Sequence, residues 1–112
     1  MQPVAARTLR GRARMSTFAL PFRVPIEHPS LPGHFPGAPL VPGVVMLEAV
    51  ASALRAWRGE RLARIAEAKF AAPLLPGEDA EVRLSESAGR LRFEIRRGDE
   101  LLARGVIEGA AA

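Results

Sequence analysis

The residues of this chain best suited to chemistry are His34 and Glu48, which stand fourteen positions apart. An imidazole exchanges protons near neutral pH. A carboxyl group in apolar surroundings has a raised pKa and can stay protonated as an acid. His34 lies in a loop with three prolines and three glycines between residues 33 and 43, and so stiff a loop holds a side chain in one place. Because apolar residues flank Glu48, the two side chains suit general acid–base catalysis.

The element that must position Glu48 is a helix, which we predict from Pro42 to about Trp57, with a glycine cap two residues later. Nearly all of its residues are apolar, and this pattern predicts a buried helix. The exceptions are Glu48, Ser52 and Arg55, which share one face at i, i+4 and i+7. The alternative is therefore that Glu48 belongs to a narrow polar stripe at the helix surface.

Alternating apolar residues predict strands on both sides of this helix. The run before it contains two prolines, which indicate a sheet edge or a strand end. We expect the four runs after it to form an antiparallel meander, with a hairpin turn at Gly98-Asp99. An antiparallel sheet with one long helix on one face is an α+β architecture. The predicted strands are Phe18–Pro25, Arg64–Ala72, Asp79–Glu86, Arg90–Arg97 and Leu101–Glu108.

The positive charge of the chain is confined to its first residues. Residues 1–14 hold four of the sixteen Lys and Arg and no acid, so residues 15–112 carry twelve charges of each sign. We predict a disordered basic leader over 1–14 and a single domain over 15–112. The neutral body argues against nucleic acid as a partner.

The composition also excludes several classes of site and location. There is no cysteine, which excludes disulfides and thiolate catalysis. The two histidines, His28 and His34, give little support to a metal site, and we expect His28 to be structural. We therefore predict no metal and no cofactor. The apolar runs are too short to cross a bilayer and no secretory signal is visible, so we expect a cytoplasmic protein without a membrane partner.

The run Gly33–Gly43 and the helix after it resemble the signature of the β-hydroxyacyl-acyl-carrier-protein dehydratases, which have the hotdog fold. That signature reads His-Phe-Pro-Gly-x-Pro, a short apolar stretch, Pro-Gly, and then apolar residues with a Glu or Asp. The resemblance covers residues 18–108 and includes Lys69-Phe70, which leads into a Pro-Gly turn. It implies an antiparallel sheet wrapped around one long central helix. The stretch His-Pro-Ser-Leu-Pro-Gly ahead of His34 is similar to compact dehydratases of accessory pathways such as aryl polyene synthesis.

This resemblance implies the dehydration of 3-hydroxyacyl-acyl-carrier-protein thioesters to trans-2-enoyl thioesters, in fatty acid or related polyene and lipid biosynthesis. It gives His34 the role of base and Glu48 the role of acid. It gives the backbone N–H of Gly43, at the helix start, the role of polarising the thioester carbonyl. We expect three residues to line an apolar acyl tunnel, namely Val44, Leu47 and Phe70.

The resemblance also implies two partners. One is an acyl carrier protein bearing a phosphopantetheine-linked substrate. The other is a second copy of this chain, in a homodimer or higher homo-oligomer, because in the resembled enzymes the His and the Glu of one site come from two subunits. The arginines of the run 90–97 are expected to form a solvated strand face or to meet the acidic carrier protein.

Two other functions and one other role for His34 stay open from the residues. The chain could be a hotdog acyl thioesterase, which would use the same fold and thioester substrates. It could also be a non-catalytic subunit that binds carrier protein in company with another chain. For His34 the alternative is a structural loop histidine that bonds backbone carbonyls.

Overall fold

The computed structural model describes residues 7–10, 16–26 and 40–112. These residues form one helix and a six-stranded sheet. In chain order the elements are β1 (Arg7–Arg10), β2 (Ser16–Arg23), α1 (Gly43–Arg58), β3 (Glu60–Phe70), β4 (Asp79–Ser87), β5 (Arg90–Arg97) and β6 (Glu100–Ala111).

The strands lie in the order β1-β2-β4-β5-β6-β3, and every neighbouring pair is antiparallel. The predicted meander is correct for β4, β5 and β6 but wrong for β3, which pairs with β6 at the far edge of the sheet. The reason is that residues 71–78 cross the end of the sheet instead of making a tight hairpin. The Ala71 and Ala72 amides donate to the Leu102 carbonyl at the start of this crossing, and the Gly77 amide donates to the Val24 carbonyl near its end.

Residues 7–10 form a strand, although we expected residues 1–14 to be disordered. β1 pairs with β2 from Arg7 opposite Ala19 to Arg10 opposite Ser16. The physical reason is that an edge strand presents unpaired backbone groups, which four residues of extended chain can satisfy. The described pairing of β1 runs along Ser16 to Ala19 of β2 and does not include Pro21.

The core lies between α1 and one face of the sheet. Strands β4 and β5 alternate buried apolar residues with exposed or half-buried polar ones, which is the pattern of a sheet covered on one side. Each fully buried large side chain contributes about 1.5–3 kcal/mol of transfer free energy. The largest fully buried side chains are Phe93, Leu54, Leu74, Leu84, Ile95, Leu102, Val50 and Val82.

The carboxyl end of α1 is fixed to the sheet. Gly59 adopts the left-handed conformation (φ 67°), and its amide donates to the Arg55 carbonyl at 2.8 Å, so the predicted glycine cap is confirmed. The Trp57 ring stacks on Phe18 with 6.0 Å between centroids. Arg58 lies over the Trp57 ring and binds the β4 residue Glu86 at 2.8 Å. Within the described residues, no helix has the length and apolar character needed to span a membrane.

Candidate active site

The amino end of α1 carries backbone donors that bind no acceptor among the described residues. Pro42 is the N-cap in an extended conformation (φ −62°, ψ 148°), and no side chain caps the helix. Its carbonyl accepts the amides of Val45 at 3.0 Å and Met46 at 3.2 Å. The amides of Gly43 and Val44 have no backbone acceptor among the residues described. Such donors, at the positive end of the helix dipole, suit an oxygen on which negative charge develops.

An aromatic ring lies against the first of these donors. A Cβ placed on Gly43 would be 3.1 Å from Cζ of Phe70, so the tip of the ring rests on the Gly43 backbone. Phe70 is the last residue of β3 and is 50% exposed, and Val44 is 63% exposed. Apolar side chains left this open in a single chain are available to an acyl group or to another subunit. Phe70 and Gly43, which we predicted to act on the same substrate, therefore lie together.

Glu48 lies on an exposed stripe of α1, and our expectation of an apolar pocket is wrong for the single chain. The sheet covers one side of the helix and buries residues such as Met46 and Val50. The opposite side stays open, since none of the described elements forms a second layer over it. The exposed helix stripe consists of Val44, Glu48, Ser52, Arg55 and Ala56.

Spacing places Glu48 near the free donors. Glu48 follows Val44 by four residues, which is one helical turn and about 6 Å along the axis. Leu47 points elsewhere, since it is half-buried and packs against the core. Of the three predicted tunnel residues, Val44 and Phe70 are exposed near Gly43, and Leu47 belongs to the packing beneath them.

The two histidines cannot be placed relative to this site. His34 and His28 fall outside the described residues, so the role of His34 stays a prediction.

A groove of about 530 Å³ lies on the outer face of the sheet. It is lined by residues such as Thr17, Ser85 and Arg92, which alternate with the core residues along their strands. None of the predicted site residues that the structure describes lines this groove.

A charged cluster at the end of β5 braces the segment that packs beside the helix start. The Arg97 guanidinium donates to the Glu78 carboxylate at 2.6 Å, to the Pro73 carbonyl at 3.2 Å and to the Glu100 carboxylate at 2.5 Å. The amide of Leu75 donates to the Glu78 carboxylate at 2.9 Å. These contacts contradict the solvated strand face that we predicted for Arg97, which is 28% exposed at its side chain.

The Glu78 carboxylate predicts a loss of stability in acid. The bond from the Leu75 amide, and then the bond from Arg97, lower the pKa of Glu78 from its model-peptide value of 4.5. A lowered folded-state pKa stabilises the fold above the unfolded value, and this stabilisation is lost as the pH falls through the folded value. In urea unfolding we expect the wild type to exceed Glu78→Gln in stability at neutral pH and the difference to shrink below pH 4.5. A difference that stays constant with pH would show that the charge of Glu78 does not contribute.

Only part of this charged cluster could have been predicted from the sequence. Glu78 closes the turn Leu75-Pro76-Gly77, and an acidic residue that closes a turn is a candidate to bind a backbone amide of that turn. Arg97 lies nineteen residues further along the chain. No local pattern connects the two, because their contact depends on where residues 71–78 cross the sheet.

Comparisons with known proteins agree with this architecture. A family model described as "ApeI-like: ApeI dehydratase" matches residues 11–106. Among curated proteins, 3-hydroxyacyl-[acyl-carrier-protein] dehydratase FabZ of Haemophilus influenzae is 38% identical, over 54% of this chain and 48% of that protein. This chain thus spans about half the length of the curated relatives that it matches.

Two solved structures share the whole fold. An uncharacterised protein from Erwinia carotovora subsp. atroseptica has a TM-score of 0.72 at 28% identity, covering 95% of this chain and 96% of that one. The dehydratase heterocomplex ApeI:P from Xenorhabdus doucetiae has a TM-score of 0.69 at 23% identity, covering 98% and 99%. The predicted α+β hotdog fold is confirmed.

Proposed function

Because this chain belongs to the ApeI-like dehydratase family, we propose that it is a hydro-lyase that converts 3-hydroxyacyl-acyl-carrier-protein thioesters to trans-2-enoyl thioesters. The pathway would be fatty acid or related polyene synthesis in the cytoplasm. The observation that carries this proposal is the start of α1, where free amide donors and an exposed carboxylate lie one turn apart. The name of the Haemophilus influenzae relative, a longer protein, gives the same reaction.

The chemistry divides among three groups. His34 takes a proton from C2 of the substrate, and the electrons of that C–H bond form the C2–C3 double bond. Glu48 gives its proton to the C3 hydroxyl, which leaves as water. The Gly43 amide, with no competing acceptor among the described residues, donates to the thioester oxygen while that oxygen gains negative charge. Solvent then returns the proton from His34 to Glu48.

A second copy of this chain would complete the site. β3 is the edge of the sheet along eleven residues, and its Ile65 and Phe70 are 38% and 50% exposed. Pairing two such edges satisfies their free backbone groups and covers the apolar side chains. A second chain that also packed on the exposed stripe of α1 would cover Glu48 and supply the surroundings that a protonated acid requires. We expect light scattering to give at least twice the mass of one chain, and a monomer would contradict the shared site.

The partner could instead be a different chain. The structure from Xenorhabdus doucetiae is a dehydratase heterocomplex, and this observation favours a second candidate role as one subunit of a mixed pair. In that role the purified chain would be inactive alone and would gain activity with its partner. The same exposed surfaces, β3 and the exposed helix stripe, would form the contact in both cases.

The direct test is an assay with 3-hydroxyacyl thioesters of carrier protein and of the bare pantetheine arm. A rise in enoyl-thioester absorbance, without release of free thiol, would support dehydration. Release of thiol would identify a thioesterase instead. A purified homodimer that binds carrier protein but forms no enoyl product from short, medium or aryl substrates would favour the non-catalytic or mixed-pair role.

Adding a methyl group at the helix start should impair catalysis more than stability. In Gly43→Ala the new Cβ would meet the Phe70 ring at 3.1 Å, so the ring or the helix start must give way by a few tenths of an ångström. Alanine is the better helix former by about 1 kcal/mol, so we expect little loss of stability. We expect kcat to fall about tenfold or more, because a displaced oxyanion donor costs that much.

The double variant Gly43→Ala/Phe70→Ala separates two causes of this loss. If crowding against the ring displaces the donor, removing the ring should return part of the lost kcat. If the double variant is slower than both single variants, the methyl group itself obstructs the thioester. Unchanged kcat in Gly43→Ala would remove the Gly43 amide from the mechanism.

A further inference from the structure

We propose that Arg97 and Glu78 are positioning residues for the Gly43 amide, which they fix through the segment 73–75 and Val41. This inference rests on the proposed function for its catalytic meaning, although the contacts that it invokes can be tested without activity. None of the residues between Arg97 and Gly43 touches the reacting atoms in this scheme.

The first step is the attachment of both ends of the segment 73–75. Arg97 donates to the Pro73 carbonyl at 3.2 Å, and Glu78 accepts the Leu75 amide at 2.9 Å. Arg97 and Glu78 bind each other at 2.6 Å, so one ion pair holds the residue before Leu74 and the residue after it. Charge-assisted bonds of this kind are shorter and stronger than neutral ones.

The second step is the contact that Leu74 makes with the helix entry. Leu74 is fully buried, and its carbonyl accepts the amide of Val41 at 2.9 Å. Val41 is also buried and immediately precedes the N-cap Pro42. The ring of Pro42 fixes its φ, so once Val41 is held, only the ψ of Pro42 (148°) still sets where the Gly43 amide points.

The third step concerns the N-cap of α1, where a side chain usually fixes the start of a helix. Among the described residues no side chain caps α1, although Ser, Thr, Asp or Asn at the N-cap commonly does so. A side chain at the N-cap bonds the amide of the second or third helical residue and would crowd the helix start that a substrate oxygen must reach. Bracing from outside, through Leu74, fixes the helix entry and leaves the Gly43 amide available. Donors to a developing oxyanion must be placed before the reaction, so this bracing bears on rate.

Arginine suits this position for a geometric reason. Its planar guanidinium reaches the Pro73 carbonyl, Glu78 and Glu100 at once. The compact ammonium of lysine has no such fixed fork. The adjacent Arg96 provides a matched control, because its guanidinium binds Glu94 and the Asp99 carbonyl, both in the β5–β6 hairpin region, and does not touch 73–75.

The first test measures the Val41 amide directly by hydrogen exchange in NMR spectra of the full-length protein. In Arg97→Ala we expect exchange at Val41 to be about tenfold faster, because one anchor of its acceptor segment is gone. In Arg96→Ala we expect exchange at Val41 to stay at the wild-type rate. Equal rates in the two variants would overturn the proposal, as would an unchanged rate in Arg97→Ala. If Arg97→Ala does not fold, Arg97→Lys is measured against Arg96→Lys with the same two outcomes.

The second test separates positioning from general stability in the dehydration assay. In Arg97→Lys we expect kcat to fall several-fold with KM unchanged, since the amide acts on the transition state more than on bound substrate. Arg96→Lys should keep both constants. A rise in KM alone, or equal losses in both variants, would overturn the catalytic part. An inactive wild type would refute the proposed function, and the exchange rates would still decide whether Arg97 fixes Val41.

Discussion

Mixing the variants His34→Ala and Glu48→Ala, each inactive alone, is expected to restore about a quarter of the wild-type dehydration rate if one site takes its two residues from two subunits. Random pairing makes about half of the dimers mixed, and each mixed dimer contains one intact site and one doubly altered site. The expected recovery follows from this count and needs no assumption about the chemical step.

Each variant alone should lose activity by about two to four orders of magnitude, the usual cost of removing a positioned acid or base. Glu48 is expected to behave in this way if a second chain packs on the helix stripe and covers the position that is exposed in one chain. The matched control is Ser52→Ala, one turn further along the same stripe, which should retain most of the activity.

The mixture must be shown to contain mixed dimers, for example by tagging one variant and isolating pairs with one tag. Mixed dimers without activity would place both residues of a site in one chain. A Glu48→Ala protein that retains wild-type activity would assign Glu48 to the polar surface stripe that the sequence left open as its alternative. Loss of activity in Ser52→Ala equal to that in Glu48→Ala would indicate that the stripe acts through assembly, with no separate role for the carboxylate.

The parts of this fold that could be predicted from sequence are those that local chemistry decides. The helix was expected from Pro42 to about Trp57 and spans Gly43–Arg58, because a Pro-Gly start and a glycine cap are local signals. β5 has the predicted bounds Arg90–Arg97, because its apolar and charged residues alternate and a Gly-Asp turn follows.

The parts that could not be predicted depend on contacts between residues that are far apart in the sequence. β3 looks like any alternating strand, and nothing within it specifies β6 as its neighbour. The exposure of Glu48 depends on which face of α1 the sheet covers and on whether another chain covers the rest. The contact between Arg97 and Glu78 exists only because residues 71–78 cross the end of the sheet. Sequence therefore indicated the residue types of the site but not their surroundings.

Gly105→Ala is expected to cause a large loss of stability, of about 3 kcal/mol or more, which corresponds to a fall in melting temperature of about 10 °C or more. Gly105 is buried on β6, opposite Ala68 of β3. A Cβ at this position would lie 2.5 Å from Cε2 of Phe93, and it would overlap the backbone carbonyl of Glu67 more closely still. Phe93 is 1% exposed and has no room to retreat.

The overlap with Glu67 arises from an irregularity in β3. The register between β3 and β6 shifts between Ile65 and Glu67, which is the mark of a β-bulge. A bulge turns backbone groups away from their regular direction, and here it brings the Glu67 carbonyl over the α-carbon of Gly105. A glycine inside a strand pattern is the sequence signal for such close approach.

Gly109→Ala on the same strand is the matched control. A Cβ there would meet the Glu60 carboxylate, at the tip of a flexible side chain that can move aside, and Leu54 at 3.2 Å. We therefore expect Gly109→Ala to lose much less stability than Gly105→Ala in thermal unfolding. Equal losses would show that the bulge is not the cause. Because Gly105 accommodates the edge strand β3, its variant should also weaken assembly at the edge where a second chain is proposed to pair.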